Sequence, residues 1–245
     1  MYSFISVVVP AHNEEQLIGR CIESLLAMDY PKDRMEILIV DNHSTDQTPR
    51  IISEYPVIGL REERPGSNAA RNKAVTSARG EIIAFTDVDC EVDASWAREI
   101  DSVFQDARVD AVMGFSEGIN ENFWAHLEQG NFEEFWFRRD SQGYSLKRLG
   151  VDTRNCAVRK AVLEECGYLN ADLPYCGDLD LSVKMRARQC HLVFNENMRV
   201  WHHNRTVLGQ ILEIKEKHAL AFFQIVEQQP DGFDCPDLPC DFSTF

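Results

Sequence analysis

The feature that most constrains this chain is a run of strongly apolar segments spaced by helix-like ones. Ile5 to Val9 is uninterrupted by charge, as a strand buried on both faces requires. Glu36-Ile37-Leu38-Ile39-Val40 and Ile82-Ile83-Ala84-Phe85-Thr86 repeat the pattern. Between the first two lies a 3.6-period stripe, Leu17, Ile18, Cys21, Ile22, Leu25 and Leu26. Asn13 with Gln16 reads as a capping box for that helix. Ser44 reads as the cap of a second helix through Ile51 and Ile52. A third spans about 69–78, with Gly80 as its C′ residue. Strands alternating with helices imply βαβ units and a mainly parallel sheet, an α/β fold.

Beyond residue 110 the pattern loosens. A strand is expected at Ala111-Val112-Met113-Gly114, helices near 159–166 and 179–189, and strands near 191–195 and 198–201. The aromatic stretch 123–138 reads as one or two helices, forming either plain core or an acceptor-cleft wall. A long amphipathic helix covers about 206–228, followed by an irregular tail in which Cys235 and Cys240 can approach each other. The whole reads as a single domain: a regular strand–helix half over 1–110, a looser half over 111–205, and the C-terminal helix and tail over 206–245.

Length and charge narrow the function. A chain of 245 residues supports one sizeable core. A net charge of -15 repels a polyanion, which argues against nucleic-acid binding. Any bound phosphate must be held by a metal ion, a helix N-terminus or a few placed Arg and Lys. No stretch approaches the roughly 18 apolar residues of a membrane span. The first residues read as a core strand rather than an export signal, so the expectation is a cytoplasmic protein with reduced thiols.

In an open parallel sheet, ligands bind beyond the carboxyl ends of the strands. Three polar clusters follow the three strands: Pro10-Ala11-His12-Asn13-Glu14-Glu15, Asp41-Asn42-His43-Ser44-Thr45-Asp46, and Asp87-Val88-Asp89. Two carboxylates two residues apart at a strand's end suit a hard divalent cation, Mg²⁺ or Mn²⁺, which can neutralise a diphosphate. Neither a GxGxxG nor a GxxxxGK[ST] loop follows the first strand.

These clusters, with Gly66-Ser67-Asn68-Ala69-Ala70-Arg71-Asn72, Asn155-Cys156-Ala157-Val158-Arg159-Lys160, Cys176-Gly177-Asp178-Leu179-Asp180-Leu181 and Val200-Trp201-His202-His203, occur in an order that resembles the family 2 glycosyltransferases of GT-A fold. The resemblance runs from about Ser6 to Arg205. It implies a metal-dependent transfer from a UDP- or GDP-sugar to an acceptor hydroxyl, with inversion by direct displacement. Pro10, Ala11 and Glu14 would shape the nucleotide pocket, with Asn13, Asn42 and Val88 in the same motifs. Asp41 would meet the base, and Arg71 the base or phosphates. Asp87 would contact ribose or metal, Asp89 would ligate the metal, and His202, rather than His203, would join it. Asp178 would be the general base; without the resemblance it reads rather as a helix cap. Cys176 replaces an acidic residue common in the family, which is expected to lower the base's pKa relative to relatives. The acceptor is a saccharide, a lipid-linked molecule or a small metabolite, with peripheral contact to the inner face of a membrane compatible with the last helix. The competing readings are a nucleotidyltransferase and a non-catalytic nucleotide-sugar-binding protein.

Overall fold

The computed structural model describes residues 2–140, 143–146 and 150–229. Eight strands form one sheet in the order β3-β2-β1-β4-β9-β6-β10-β5. They are β1 (Ile5–Ala11), β2 (Met35–Asp41), β3 (Ile58–Arg61), β4 (Ile82–Thr86), β5 (Cys90–Val92), β6 (Ala111–Gly118), β9 (Asn155–Arg159) and β10 (Leu192–His202). A separate hairpin joins β7 (Phe137–Asp140) to β8 (Gly143–Leu146). The helices are α1 (Ile18–Leu26), α2 (Thr48–Ser53), α3 (Ser67–Ser77), α4 (Trp96–Phe104), α5 (Phe123–Trp136), α6 (Lys160–Glu165), α7 (Gly177–Ala187) and α8 (Leu208–Gln228).

Alternate side chains of β1 enter two cores. Val7 and Val9 join Ile18, Cys21, Ile22 and Leu25 of α1 on one face. Val8 joins Ala70, Ala74 and Val75 of α3 on the other. That two-sided burial is why the strand carries no charge. β1, β2, β3 and β4 are mutually parallel, and β6 and β10 are parallel to each other. β9 runs antiparallel between β4 and β6, and β5 antiparallel to β10. One buried asparagine stitches the centre: Asn155 Nδ2 donates to the carbonyls of Phe115 and Met198, and its Oδ1 accepts from Trp96 Nε1 at 2.8 Å.

Several local expectations are corrected. Asn13 does not cap α1, which begins at Ile18; Asn13 sits at φ 55° and its side chain bonds the second loop instead. Ser44 does not cap α2 either, because its hydroxyl accepts from the Asn13 N–H. Gly80 is not a helix C′ residue: its N–H donates to Ser6 Oγ, and a Cβ there would strike the Ser6 and Phe4 backbone. The two late strands are one, β10, whose register slips between Asn195 and Arg199. The aromatic stretch is one helix, capped by the Asn122 side chain, and then a strand. Phe132 and Trp136 pack with Met113 and Phe115 while also facing the cleft. Cys235, Cys240 and the tail lie outside the described residues. No helix among the described residues is long and apolar enough to cross a membrane.

Candidate active site

The ends of β1, β4 and β10 and the N-termini of α3 and α7 surround a cleft of about 530 Å³, walled on the far side by α5 and α8. Pro10, Ala11, Glu14, Asn42, Arg71, Asp87, Val88, Asp89, Asp178 and His202 all line it. Asn13 and Asp41 do not appear in that lining. Both brace the rim: Asn13 Oδ1 accepts from the Thr45 N–H, and Asp41 Oδ1 from the Ser44 N–H. Asn42 lines the cleft yet its amide is fully engaged. It donates to the carbonyls of Glu62 and Arg64 and accepts from the Gly66 N–H, pinning the loop before α3.

The acidic and basic groups alternate. Arg71 Nη2 meets Asp87 Oδ1 at 2.5 Å, although burial still raises the Asp87 pKa. Arg154 bonds Asp152, and Arg205 bonds Glu128 at 2.6 Å. Burial, then the carboxylates of Asp89, Asp46 and Asp87, push Glu14 up to about 7. Asp89 goes the other way: burial opposes its charge, but His202 and the guanidiniums of Arg154 and Arg205 hold it well below the usual carboxylate range.

Asp89 and His202 form the metal-suited pair. The sheet sets them on neighbouring rungs, because Cys90 of β5 is registered with His202 of β10, and the His203 N–H donates to the Asp89 carbonyl. His202 Nε2 lies 3.2 Å from Asp89 Oδ2. Its Nδ1 meets Asn204 Oδ1 at 2.6 Å, and Asn204 Nδ2 in turn donates to Gln129 Oε1. That chain fixes the ring with Nδ1 toward Asn204 and Nε2 toward the Asp89 carboxylate, where Nε2 donates when protonated and can ligate a metal when not. Deprotonated at Nε2, the ring and the carboxylate could together hold a cation. An imidazole nitrogen with carboxylate oxygen suits Mn²⁺, and Mg²⁺ through the carboxylate. Cys90 completes a three-group cluster with them, but burial holds its thiol protonated. Asp87 stands outside that cluster. His203 turns away and pairs with Glu91.

Asp178 opens α7, following Cys176 in a left-handed conformation at φ 58°. Among the described residues its Oδ1 accepts only from the neighbouring Leu179 N–H. Gly177 permits this placement: a Cβ there would fall inside the Asn68 side chain, so α3 and α7 approach through the glycine. Burial, then Asp152, push the Asp178 pKa up to about 7. The like charge missing at position 176 is thus supplied in space by Asp152. Asp180 is structural, bonded to Lys184 at 2.6 Å and to Gln229.

Asp152, Arg154, Glu128, Arg205, Asn204 and Lys215 were not anticipated. Asp152 and Arg154 precede β9; recognising that segment as an antiparallel strand would have put its start on the same rim. Glu128 and Lys215 come from helical faces whose partner the pattern does not reveal.

The glycosyl transferase family 2 model matches residues 6–167. This chain belongs to glycosyl transferase family 2. Among its relatives in that family, the glycosyltransferase AglE of Haloferax volcanii is 32% identical over 182 residues, covering 72% of this chain and 59% of that one. The beta-monoglucosyldiacylglycerol synthase of Nostoc is 30% identical over 194 residues, 74% of this chain and 41% of that one. This chain therefore spans about half the length of the curated relatives it matches. In fold it matches Staphylococcus aureus TarS, with TM-score 0.71, 20% identity, and coverage of 95% of this chain and 67% of that one. It matches equally the mannosyltransferase PcManGT of Pyrobaculum calidifontis, solved with GDP-Man and Mn²⁺: TM-score 0.71, 20% identity, 94% and 65% covered. The fold of this family 2 member is thus the GT-A fold.

Proposed function

We propose that this chain transfers a sugar from a nucleoside-diphosphate sugar to an acceptor hydroxyl, with a divalent cation at Asp89 and His202 and inversion at the anomeric carbon. The observation that carries the reading is the meeting, in one cleft, of an adjacent carboxylate–imidazole pair suited to a metal and a half-buried carboxyl poised near neutrality. The cation, when bound, would offset the negative charge that builds on the departing diphosphate. Mn²⁺ beside GDP-Man in the fold relative PcManGT accords with that chemistry.

The remaining roles belong to side chains. Pro10, Ala11 and Glu14 shape the pocket for the nucleotide, with Val88 in its floor. Arg71 is held by Asp87, and its buried Nε has no partner among the described residues, leaving a donor for the donor sugar's nucleotide. Asn13, Asp41 and Asn42 hold the loops that frame the base. An acceptor hydroxyl is a weak nucleophile at neutral pH, so Asp178 takes its proton as the new bond forms. A pKa of about 7 suits that exchange. Asp152, the carboxylate that drives Asp178 upward, is engaged by Arg154, which favours one direct displacement over a covalent intermediate.

The test is donor hydrolysis. UDP- and GDP-sugars incubated with the protein and Mn²⁺ should slowly release nucleoside diphosphate. The release should vanish with EDTA and in Asp89→Ala, and fall about 10²–10⁴-fold in Asp178→Asn. Donor binding without release under any condition would leave a nucleotide-sugar-binding protein instead. Release of pyrophosphate from a nucleoside triphosphate would favour the nucleotidyltransferase.

A further inference from the structure

Four permanent or near-permanent cations reach the cleft: Arg71, Arg154, Arg205 and Lys215. The first three are matched by Asp87, Asp152 and Glu128. Lys215 is not. It projects from α8 beside Ile214 and His218, half-buried, and makes no hydrogen bond or ion pair among the described residues. Burial and the charges of Arg154 and Arg205 hold its ammonium below the ordinary lysine range, against the pull of Glu128. Burial, then the charges of Lys215, Arg205 and Arg154, push His218 down to about 4. In a chain of net charge -15, Lys215 thus stands as a cation without a paired carboxylate among the described residues. A half-buried ammonium without a counter-charge is unfavourable unless a ligand supplies one.

The donor's diphosphate does not need it. A divalent cation at Asp89 and His202 matches the two negative charges of a sugar diphosphate. Lys215 lies instead on the side of the cleft where the Tyr175–Gly177 loop leads into α7, and its charge reaches Cys176. We propose that Lys215 binds a phosphate group carried by the acceptor, so that an anionic acceptor presents its hydroxyl to Asp178. The inference rests on the glycosyltransfer reading above. An ammonium is a compact charge suited to phosphate oxygens, and its long stem lets it follow an acceptor entering from solvent.

Calorimetric titration of the full chain tests it. Wild type, Lys215→Met and Lys215→Arg are loaded with Mn²⁺ and UDP or GDP, then titrated with glycerol 3-phosphate and with glycerol. The expected result is at least ~10-fold tighter binding of the phosphate ester by wild type and Lys215→Arg, a preference erased in Lys215→Met. The nucleotide should bind Lys215→Met within about twofold of wild type. Equal binding of glycerol and its phosphate by the loaded wild type overturns the proposal. So does loss of nucleotide affinity in Lys215→Met with phosphate preference retained, which would assign the lysine to the donor. Failure of wild type to bind either nucleotide with Mn²⁺ overturns the glycosyltransfer reading itself, and this inference with it.

Discussion

The carboxyl of Asp178 should destabilise the protein that uses it. Burial and the neighbouring Asp152 raise its pKa from 3.8 to about 7. A raised carboxyl pKa means that the folded state disfavours the ionised form. The penalty is absent below pH 3.8, grows between 3.8 and 7, and is complete above 7. Three units at about 1.4 kcal/mol each give roughly 4 kcal/mol at pH 8, against about 1.5 kcal/mol at pH 5. Asp178→Asn removes the charge while its amide oxygen can still accept from the Leu179 N–H. The carboxyl is partly open to the cleft, so water screens some of the effect. The variant should therefore exceed wild type in stability by about 2 kcal/mol more at pH 8 than at pH 5. Urea unfolding in EDTA at the two pH values, followed by far-UV circular dichroism, measures the gap, and the slopes should be unchanged. An equal gap at both pH values, or a variant less stable than wild type at pH 8, refutes the reasoning. The same variant should be nearly inactive.

Three further outcomes follow from single contacts. Asn204→Leu removes the acceptor that fixes the His202 ring, and Mn²⁺ affinity measured by electron paramagnetic resonance should fall about 10–100-fold with the fold intact by circular dichroism. Asn155→Ala strands two carbonyls and the Trp96 N–H in the core, and urea denaturation should show a loss of about 3 kcal/mol or more. Gly177→Ala forces the Asn68 side chain aside at the α3–α7 contact; turnover should drop well beyond the change in melting temperature, because Arg71 and Asp178 stand on those two helices.

The sheet's first half was legible because two-sided burial leaves a mark that local sequence cannot hide: Val7, Val8 and Val9 allow no other strand. The rim followed, since polar residues after such strands have one place to go. Helix starts were less readable. Asn13 and Ser44 have the chemistry of caps, but each found a better partner in the other's loop, a choice made in three dimensions. α4 was missed although Trp96, Ile100 and Phe104 repeat every four residues; its entry, Asp93-Ala94-Ser95, gave no side-chain cap. β9 carries no strand signal in the sequence, because Cys156, Ala157 and Val158 are too few to show a period. Its neighbours Asp152 and Arg154 were missed with it. The rise in the Asp178 pKa was not legible in the sequence, since the residue at position 176 does not say which carboxylate will lie beside Asp178 in space.

The rung that sets Asp89 against His202 also divides what in this molecule is free to vary. A slip of β5 by one residue would swing every side chain to the opposite face and part the two ligands. Insertions and deletions should therefore be least tolerated between Asp87 and Cys90, where they would slip β5 against β10. Changing what enters the cleft is then a matter of remodelling exposed faces of α8, while the ion's seat stays with the sheet and with Gln129, which holds Asn204 against His202.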